Sequence, residues 1–111
     1  MKNKLSALLV AHNEEKQIDE CLSTIKFADE IIVILDKCND KTENIASKYT
    51  QKIYKGSWDF EGERRNFGIS KCSNNWVFEI DADERVSILL QKEIKSLIDR
   101  SVHDYHLIKV N

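Results

Sequence analysis

Three short apolar runs, each followed by polar residues and a helical pattern, constrain the fold of this chain most strongly. They are LSALLVA at residues 5–11, IIVIL at residues 31–35 and WVFEI at residues 76–80. Runs of this length and composition are typical of strands that are covered on both faces. Strands that alternate with helices form right-handed βαβ units, which place the strands parallel. The sequence therefore predicts an α/β domain with a Rossmann-like, open, mostly parallel sheet and helices on both faces.

Apolar residues at helical spacing predict four helices between and after these runs. The first follows Asn13, which is the expected N-cap. The second is expected from residue 39 or 40 to about residue 49, and the third over residues 64–71. The last helix begins near Ser87 and is expected to bury Leu90, Ile94, Leu97 and Ile98. Short strands are expected at residues 52–54 and 105–110.

Length and charge fit one compact domain over residues 1–111 without a general affinity for polyanions. The chain has 41% hydrophobic residues, the usual content of a soluble globular domain. Its 17 basic and 19 acidic side chains give a formal charge of -2, so an anionic ligand must be bound locally. No apolar run approaches the roughly 20 residues that a membrane-spanning helix needs.

The cysteines and histidines show no spacing that is typical of a metal site or a disulfide framework. The cysteines are three in number, far apart and without a CxxC pair. Reduced thiols of this kind are typical of the cytoplasm, where we expect the chain to reside. The residues concerned are Cys21, Cys38, Cys72, His12, His103 and His106.

Polar clusters follow each of the three predicted central strands. HNEE follows the first, Asp36 follows the second, and the triplet Asp81, Ala82 and Asp83 follows the third. In open parallel sheets, ligands bind outside the carboxyl ends of the strands, at the point where the strand order reverses. We therefore expect these clusters to lie together at one edge of the sheet.

The DxD triplet at Asp81 and Asp83 suits a divalent cation that is shared with a diphosphate. Mg2+ and Mn2+ prefer oxygen ligands and commonly take only one or two protein carboxylates, with phosphates and water completing the shell. The alternative is a solvated turn, which is the commoner role of an isolated DxD. The position of the triplet directly after a buried strand favours the metal site.

Asp36 and two adjacent arginines complete the candidate site. An acid after the second strand accepts hydrogen bonds from the nucleoside in dinucleotide folds, but the GxGxxG fingerprint is absent here, which disfavours a dehydrogenase. A turn or capping role for Asp36 is the alternative. Arg64 and Arg65 can pair with phosphates or with the acidic side chains of the edge, or they can be solvated on a helix.

Several motifs, in this order and spacing, resemble the amino-terminal half of the family 2 glycosyltransferases, which have the GT-A fold. They are LLVAHNEE, IIVILDKCNDKT and RRNFGISKCSNNWVFEIDADE. The segments WDFEGERRNFGIS and IDADERVS are most similar to the bacterial subgroup of lipopolysaccharide core β-glucosyltransferases. The resemblance extends from Leu5 to about Asn111.

The resemblance implies roles for individual residues. The loop with Ala11, His12 and Glu14 is expected to wrap the nucleoside base, and Asp36 is expected to hydrogen-bond it. Asp81 is expected near the ribose and phosphates. Asp83 is expected to ligate Mn2+ or Mg2+. Arg64, Arg65 and Ala82 complete the predicted nucleotide-sugar site. Two departures are His12, where the family often has an aromatic residue, and DKCND in place of a DGS-like turn.

The function that the resemblance implies is sugar transfer from a nucleoside diphosphate donor, with UDP preferred, to a cell-envelope glycan or a lipid-linked acceptor. Family members continue beyond the DxD for a comparable length, and that region carries the acceptor site and the catalytic base. The base is therefore expected beyond Asn111, and the chain is expected to be a donor-binding half that transfers little or nothing alone. The resemblance implies a cytoplasmic enzyme, with peripheral association at the inner face of the membrane as an option.

Three other functions stay open at the level of sequence. A response-regulator receiver domain also binds Mg2+ with carboxylates at strand ends. Asp36 would have to be its phosphoacceptor, but it comes one strand too early for that role. The DxD triplet would have no role in a receiver domain. A nucleotidyltransferase of similar fold and a binding module without chemistry are the others. Labelling of Asp36 by acetyl phosphate would favour the receiver, whereas release of UDP from a nucleotide sugar by a longer chain would favour transfer.

Overall fold

A computed structural model describes residues 3–100 in full and residues 106–109 through their backbone. Strands and helices alternate throughout these ranges. The strands are β1 (Leu5–Ala11), β2 (Glu30–Asp36), β3 (Ile53–Gly56), β4 (Trp76–Asp81) and β5 (His106–Lys109). The helices are α1 (Ile18–Thr24), α2 (Thr42–Ala46), α3 (Glu61–Lys71) and α4 (Ile88–Arg100).

The strands form one sheet in the order β3-β2-β1-β4-β5, and every pair is parallel. This confirms the predicted α/β fold. The chain first moves outward from β1 to β2 and β3, and then returns to pair β4 on the other side of β1. The order therefore reverses at β1, and its end, Ala11, lies between Leu35 of β2 and the end of β4. Ligand sites of open α/β sheets lie at such a point.

Helices α1, α2 and α4 cover one face of the sheet. Alternate residues of the central strands, such as Leu9, Val33 and Phe78, meet Ile18 of α1 and Ile94 of α4 in the larger apolar core. Period-two alternation in the strands and helical spacing in α1 and α4 bring these side chains together. Burying them supplies most of the stabilisation of this face.

Helix α3 covers the other face, where Leu8, Ile34 and Phe67 pack together. The helix approaches the sheet closely at Gly68, because a Cβ there would lie 2.8 Å from Leu8 Cδ1 and 3.2 Å from Ile34 Cγ1. A larger residue would push the helix off the sheet. The start of α3 is thereby held above the carboxyl ends of β1 and β2.

A buried glutamate stabilises the opposite, amino-terminal edge of this sheet face. Glu30 accepts hydrogen bonds from the Ser6 hydroxyl and the Ser73 amide, each at 2.7 Å, and forms an ion pair with Lys52. Burial alone would raise the pKa of Glu30, but these hydrogen bonds outweigh it and lower the pKa to about 2. Glu30 is therefore ionised and connects β1, β2 and the loop before β4.

Several helix boundaries differ from the predictions. Asn13 is not an N-cap, because α1 begins only at Ile18, and α2 ends at Ala46 rather than near residue 49. Helix α3 begins at Glu61, three residues earlier than expected. Leu97 is 40% exposed rather than buried, since it lies at the margin of the apolar stripe of α4.

The carboxyl-terminal predictions are tested only in part. The predicted strand at 105–110 is seen as β5, and its first and last residues lie outside the described residues. Asn111 also lies outside them, so the expectation of a catalytic base beyond Asn111 stays a prediction. Within the described ranges, no helix has the length and apolarity that crossing a membrane requires.

Candidate functional site

Two neighbouring cavities lie at the carboxyl edge of the sheet. The first, which we name the DxD cavity, has a volume of about 280 Å³ and is lined by Val10, Ala11, His12, Glu14, Arg64, Asp81, Ala82 and Asp83. The second, which we name the loop cavity, has a volume of about 440 Å³ and is lined by His12, Asp36, Lys37, Trp58, Asp59, Phe60, Glu61 and Arg64. His12 and Arg64 line both cavities. The three polar clusters that were predicted to meet at one edge therefore do so.

Asp36 lies at the end of β2 and is almost completely buried. Its Oδ2 accepts a hydrogen bond from Arg64 Nη1 at 2.9 Å, and its Oδ1 accepts one from the Trp58 amide at 3.1 Å. Burial acts to raise the pKa of Asp36, but the bonds from Arg64 and Trp58 outweigh it, so the pKa is lowered. Asp36 is thus ionised and fixes Arg64 and the Trp58 backbone. Its predicted contact with a base stays a prediction.

His12 can offer a ligand only its Nε2 atom, because Nδ1 lies 2.8 Å from the Asp36 carbonyl oxygen. A carbonyl oxygen only accepts, so Nδ1 must carry the hydrogen of this bond. In the neutral ring, Nε2 is then an acceptor. Since His12 lines both cavities, this acceptor belongs to the shared part of the site.

Hydrogen bonds join the loop after β1 to the loop after β2. Asn13 has a left-handed backbone, with φ of 48°, and its side-chain Oδ1 accepts a bond from the Asn39 amide at 2.8 Å. The Asn13 amide donates to Cys38 Sγ at 3.3 Å, and the Glu14 amide donates to Thr42 Oγ1 at 2.9 Å. Asparagine tolerates this backbone better than most residues do. The two loops therefore form one surface around His12.

The DxD turn is closed by the residue that follows it. Glu84 accepts a hydrogen bond from the Asp81 amide through Oε1 at 2.9 Å, and its own amide donates to the Asp81 carbonyl at 3.0 Å. The buried Cys21 thiol of α1 contacts the same carbonyl at 3.5 Å. Arg85 donates to the Ala82 carbonyl at 2.7 Å. The backbone of the turn is therefore held from both sides.

The carboxylates of Asp81 and Asp83 are exposed on this turn, and neither takes part in a hydrogen bond or ion pair of its side chain within the described part of the chain. Among residues 3–100, no three His, Cys, Asp or Glu side chains lie together so that they could hold a metal ion by themselves. Two oxygen ligands fit Mg2+ or Mn2+ only where phosphate and water complete the shell. These two side chains would therefore hold a cation only together with a phosphorylated ligand.

The two arginines of α3 have different surroundings. Arg64 is partly buried between the two cavities, where its ion pair with Asp36 leaves other guanidinium hydrogens for a ligand. Arg65 instead places its Nε 3.3 Å from the carboxylate of Glu79, on the sheet face under α3. It lines neither cavity. The structure therefore brings Arg64 to the candidate site and does not bring Arg65 there.

Sequence reasoning missed the residues of the segment between β3 and α3. The mostly polar stretch GSWDFEGE at residues 56–63 was assigned no site residue, yet its Trp58 and Phe60 line the loop cavity together with Lys37, Asp59 and Glu61. Trp58 packs on Phe67 with ring centroids 5.2 Å apart. Two aromatic residues in an otherwise polar loop were the available signal.

Comparison with known proteins bears on the family of this chain. The profile of the family described as "Glycosyl transferase family 2" matches residues 6–107. A protein of Rickettsia bellii named "Uncharacterized glycosyltransferase" is 32% identical over 96% of this chain and 37% of its own length. LpsC of Rhizobium meliloti, a "Lipopolysaccharide core biosynthesis glycosyltransferase", is 27% identical over 90% of this chain and 39% of its own length.

A solved structure shares the fold. It is residues 1–349 of TarS from Staphylococcus aureus, which superposes with a TM-score of 0.70 at 25% identity, over 86% of this chain and 32% of that one. TarS is named as a "Poly(ribitol-phosphate) beta-N-acetylglucosaminyltransferase". This chain spans little more than a third of the length of the Rickettsia and Rhizobium relatives. Since the family profile covers nearly all of its residues, the chain belongs to glycosyl transferase family 2.

Proposed function

We propose that the protein transfers a sugar from a nucleoside diphosphate donor, with UDP as the nucleotide, to a cell-envelope glycan or lipid-linked acceptor. This chain supplies donor and metal binding. The observation that carries the proposal is that His12 and Arg64 connect the cavity of Asp36 with the cavity of Asp81 and Asp83. One ligand with a base at one end and a diphosphate at the other fits such a pair of cavities.

Family membership, an edge of acidic and basic side chains, and the names of the relatives support this function. Two of the relatives are named for lipopolysaccharide core biosynthesis and for poly(ribitol-phosphate), which is why we propose a cell-envelope acceptor. The family match leaves the receiver and nucleotidyltransferase alternatives without support. A cytoplasmic location, where nucleotide sugars would be available, is part of the proposal.

We assign the following binding roles to the residues at this edge of the sheet. Asp83 ligates the cation, and Asp81 lies beside it near the ribose and phosphates. Arg64 donates hydrogen bonds to the diphosphate, because guanidinium matches phosphate oxygens in geometry and charge. A divalent cation, when bound, supplies positive charge that stabilises the departing diphosphate. Ala11, Ala82 and Glu14 complete the wall of the DxD cavity.

The catalytic base lies outside this set of residues in our proposal. An inverting transfer needs a carboxylate that takes the proton of the acceptor hydroxyl while that hydroxyl attacks the anomeric carbon. Asp81 and Asp83 are assigned to donor and cation, so neither is free for that proton. We place the base and the acceptor site outside residues 1–111, because the relatives are more than twice as long as the segment that matches this chain.

Thermal unfolding in the presence of nucleotide sugars tests the proposal. UDP-glucose and UDP-N-acetylglucosamine should raise the Tm of this chain in Mn2+ and raise it less in EDTA, because a ligand of the native state stabilises it by mass action. Asp83→Asn should remove the Mn2+-dependent part of the shift. Asp99→Asn, an exposed change on α4, is the matched control and should keep it. A Mn2+-dependent shift that survives Asp83→Asn would remove Asp83 from its assigned role.

A further inference from the structure

Phe60 is an exposed aromatic side chain on a fixed backbone at the loop cavity. Its side chain is 66% exposed, and the other large apolar side chains that are exposed in residues 3–100 are Ile88, Leu89 and Leu97, all of helix α4. Single exposed apolar residues are common, so exposure alone carries no argument. The position of Phe60 in the wall of a cavity at the ligand edge is a separate observation.

The loop that carries Phe60 is fixed on both sides of it. Gly56 accepts a hydrogen bond from the Lys37 amide at 2.9 Å. The Trp58 amide donates to Asp36, and its carbonyl accepts a bond from Lys37 Nζ at 3.1 Å. The Phe60 carbonyl accepts the Arg64 amide at 3.2 Å as α3 begins. The Phe60 backbone is therefore held, while its ring projects from the packed loop.

The neighbouring Trp58 shows why the loop does not bury Phe60 instead. Trp58 fills the space over Gly56, where a Cβ would lie 2.5 Å from the indole ring, and it packs against the Phe67 ring in a tilted arrangement. The apolar contact of the loop with α3 is thus already made by another aromatic ring. Phe60 is left facing the cavity that His12 and Asp36 also line.

We propose that Phe60 is a stacking residue for the base of the nucleotide, an inference that rests on the proposed function of this edge. An aromatic ring offers a flat apolar face to the flat face of a base, and such stacking tolerates any base. Asp36 and His12 Nε2 are acceptors at the same cavity, so they suit the N–H groups on the edge of a base. Phe60 thus contributes affinity for the nucleoside, while the DxD cavity holds the diphosphate.

Binding of UDP and of inorganic pyrophosphate, each in Mn2+, separates the two contributions. Phe60→Ala should weaken UDP binding about tenfold in calorimetric titrations, the size expected for loss of one stacked base. Pyrophosphate has no base, so its affinity for Phe60→Ala should equal that for the natural chain. Phe60→Tyr should bind UDP nearly as well as the natural chain, and Leu89→Ala, an equally exposed apolar change on α4, should have no effect.

Two results would overturn the stacking role while leaving the proposed function standing. One is UDP affinity of Phe60→Ala within twofold of the natural chain. The other is an equal loss of UDP and pyrophosphate affinity, which would mean that the substitution disturbs the whole edge. Failure of the natural chain to bind either ligand would instead contradict the proposed function itself.

Discussion

Asp36 was placed correctly by sequence because it directly follows the second apolar run. A residue at the end of a buried strand must emerge at the carboxyl edge of the sheet, whatever the rest of the chain does. Its partners could not be predicted in the same way, because Trp58 and Arg64 are 22 and 28 residues away. Only the packing of α3 on the sheet brings them to the carboxylate.

Side chains that bond to the backbone of another loop were the least predictable. Asn13 was predicted to cap α1, since asparagine is a favoured N-cap. It adopts a left-handed backbone and bonds the Asn39 amide instead. The same chemistry, an amide oxygen that accepts a backbone N–H, serves both roles, and tertiary context decides between them. Glu84 likewise accepts a hydrogen bond from the Asp81 amide and closes the DxD turn, a contact that the sequence did not predict.

Glu30 makes a prediction about acid stability at the residue scale. Its pKa is lowered from the usual 4.5 to about 2, so the stabilisation is complete above pH 4.5 and is lost as the pH falls toward 2. Glu30→Gln should lower the free energy of unfolding at pH 7 by about 2 kcal/mol. The destabilisation caused by Glu30→Gln, relative to the natural chain, should shrink as the pH falls from 4.5 to 2.

Urea titrations across this pH range provide the measurement. Glu93→Gln, an exposed substitution on α4, is the matched control and should follow the natural chain at every pH. If the difference in free energy of unfolding between Glu30→Gln and the natural chain stays constant from pH 7 to pH 2, the Glu30 carboxylate does not stabilise the fold in this way.

At the scale of elements, type and order were predictable and boundaries were less so. The central strands were identified because continuous apolar runs of five to seven residues, bounded by polar residues, are typical of buried strands. Helix α4 was identified from its spacing, yet Leu97 proved 40% exposed, because it lies at the margin of the apolar stripe whose buried residues are Ile94 and Ile98. The segment before α3 was hardest, since its structure depends on Trp58 packing over Gly56.

Two glycines in neighbouring elements should respond oppositely to alanine. At Gly56, the end of β3, a Cβ would lie 2.5 Å from the Trp58 ring, so Gly56→Ala should displace the ring and destabilise the chain by about 1–3 kcal/mol. At Gly62 in α3, a Cβ would meet nothing within 4 Å. Gly62→Ala should therefore stabilise the chain by about 0.5 kcal/mol through helix propensity. Urea denaturation of both variants gives the comparison, and equal effects would contradict the packing described for Trp58.

At the scale of the whole molecule, topology does most to define the site. Parallel strands place all their carboxyl ends at one edge, and the reversal of strand order at β1 leaves a space there that loops from β1, β2 and β4 surround. The sequence predicted the shared edge but not the strand order, because pairing partners far apart in sequence leave no local signal. The proposed donor site is a consequence of that order.

The location of a bound cation relative to the sheet tests this account most directly. Substoichiometric Mn2+ added with UDP should broaden backbone amide NMR signals most at His12 and at residues 81–83, and least at Ser6 and Glu30. The two edges are about 20 Å apart along the strands, which is enough to separate the effects. Asp83→Asn should abolish the gradient. Broadening that is strongest at Ser6 and Glu30, or equal at both edges, would contradict the account.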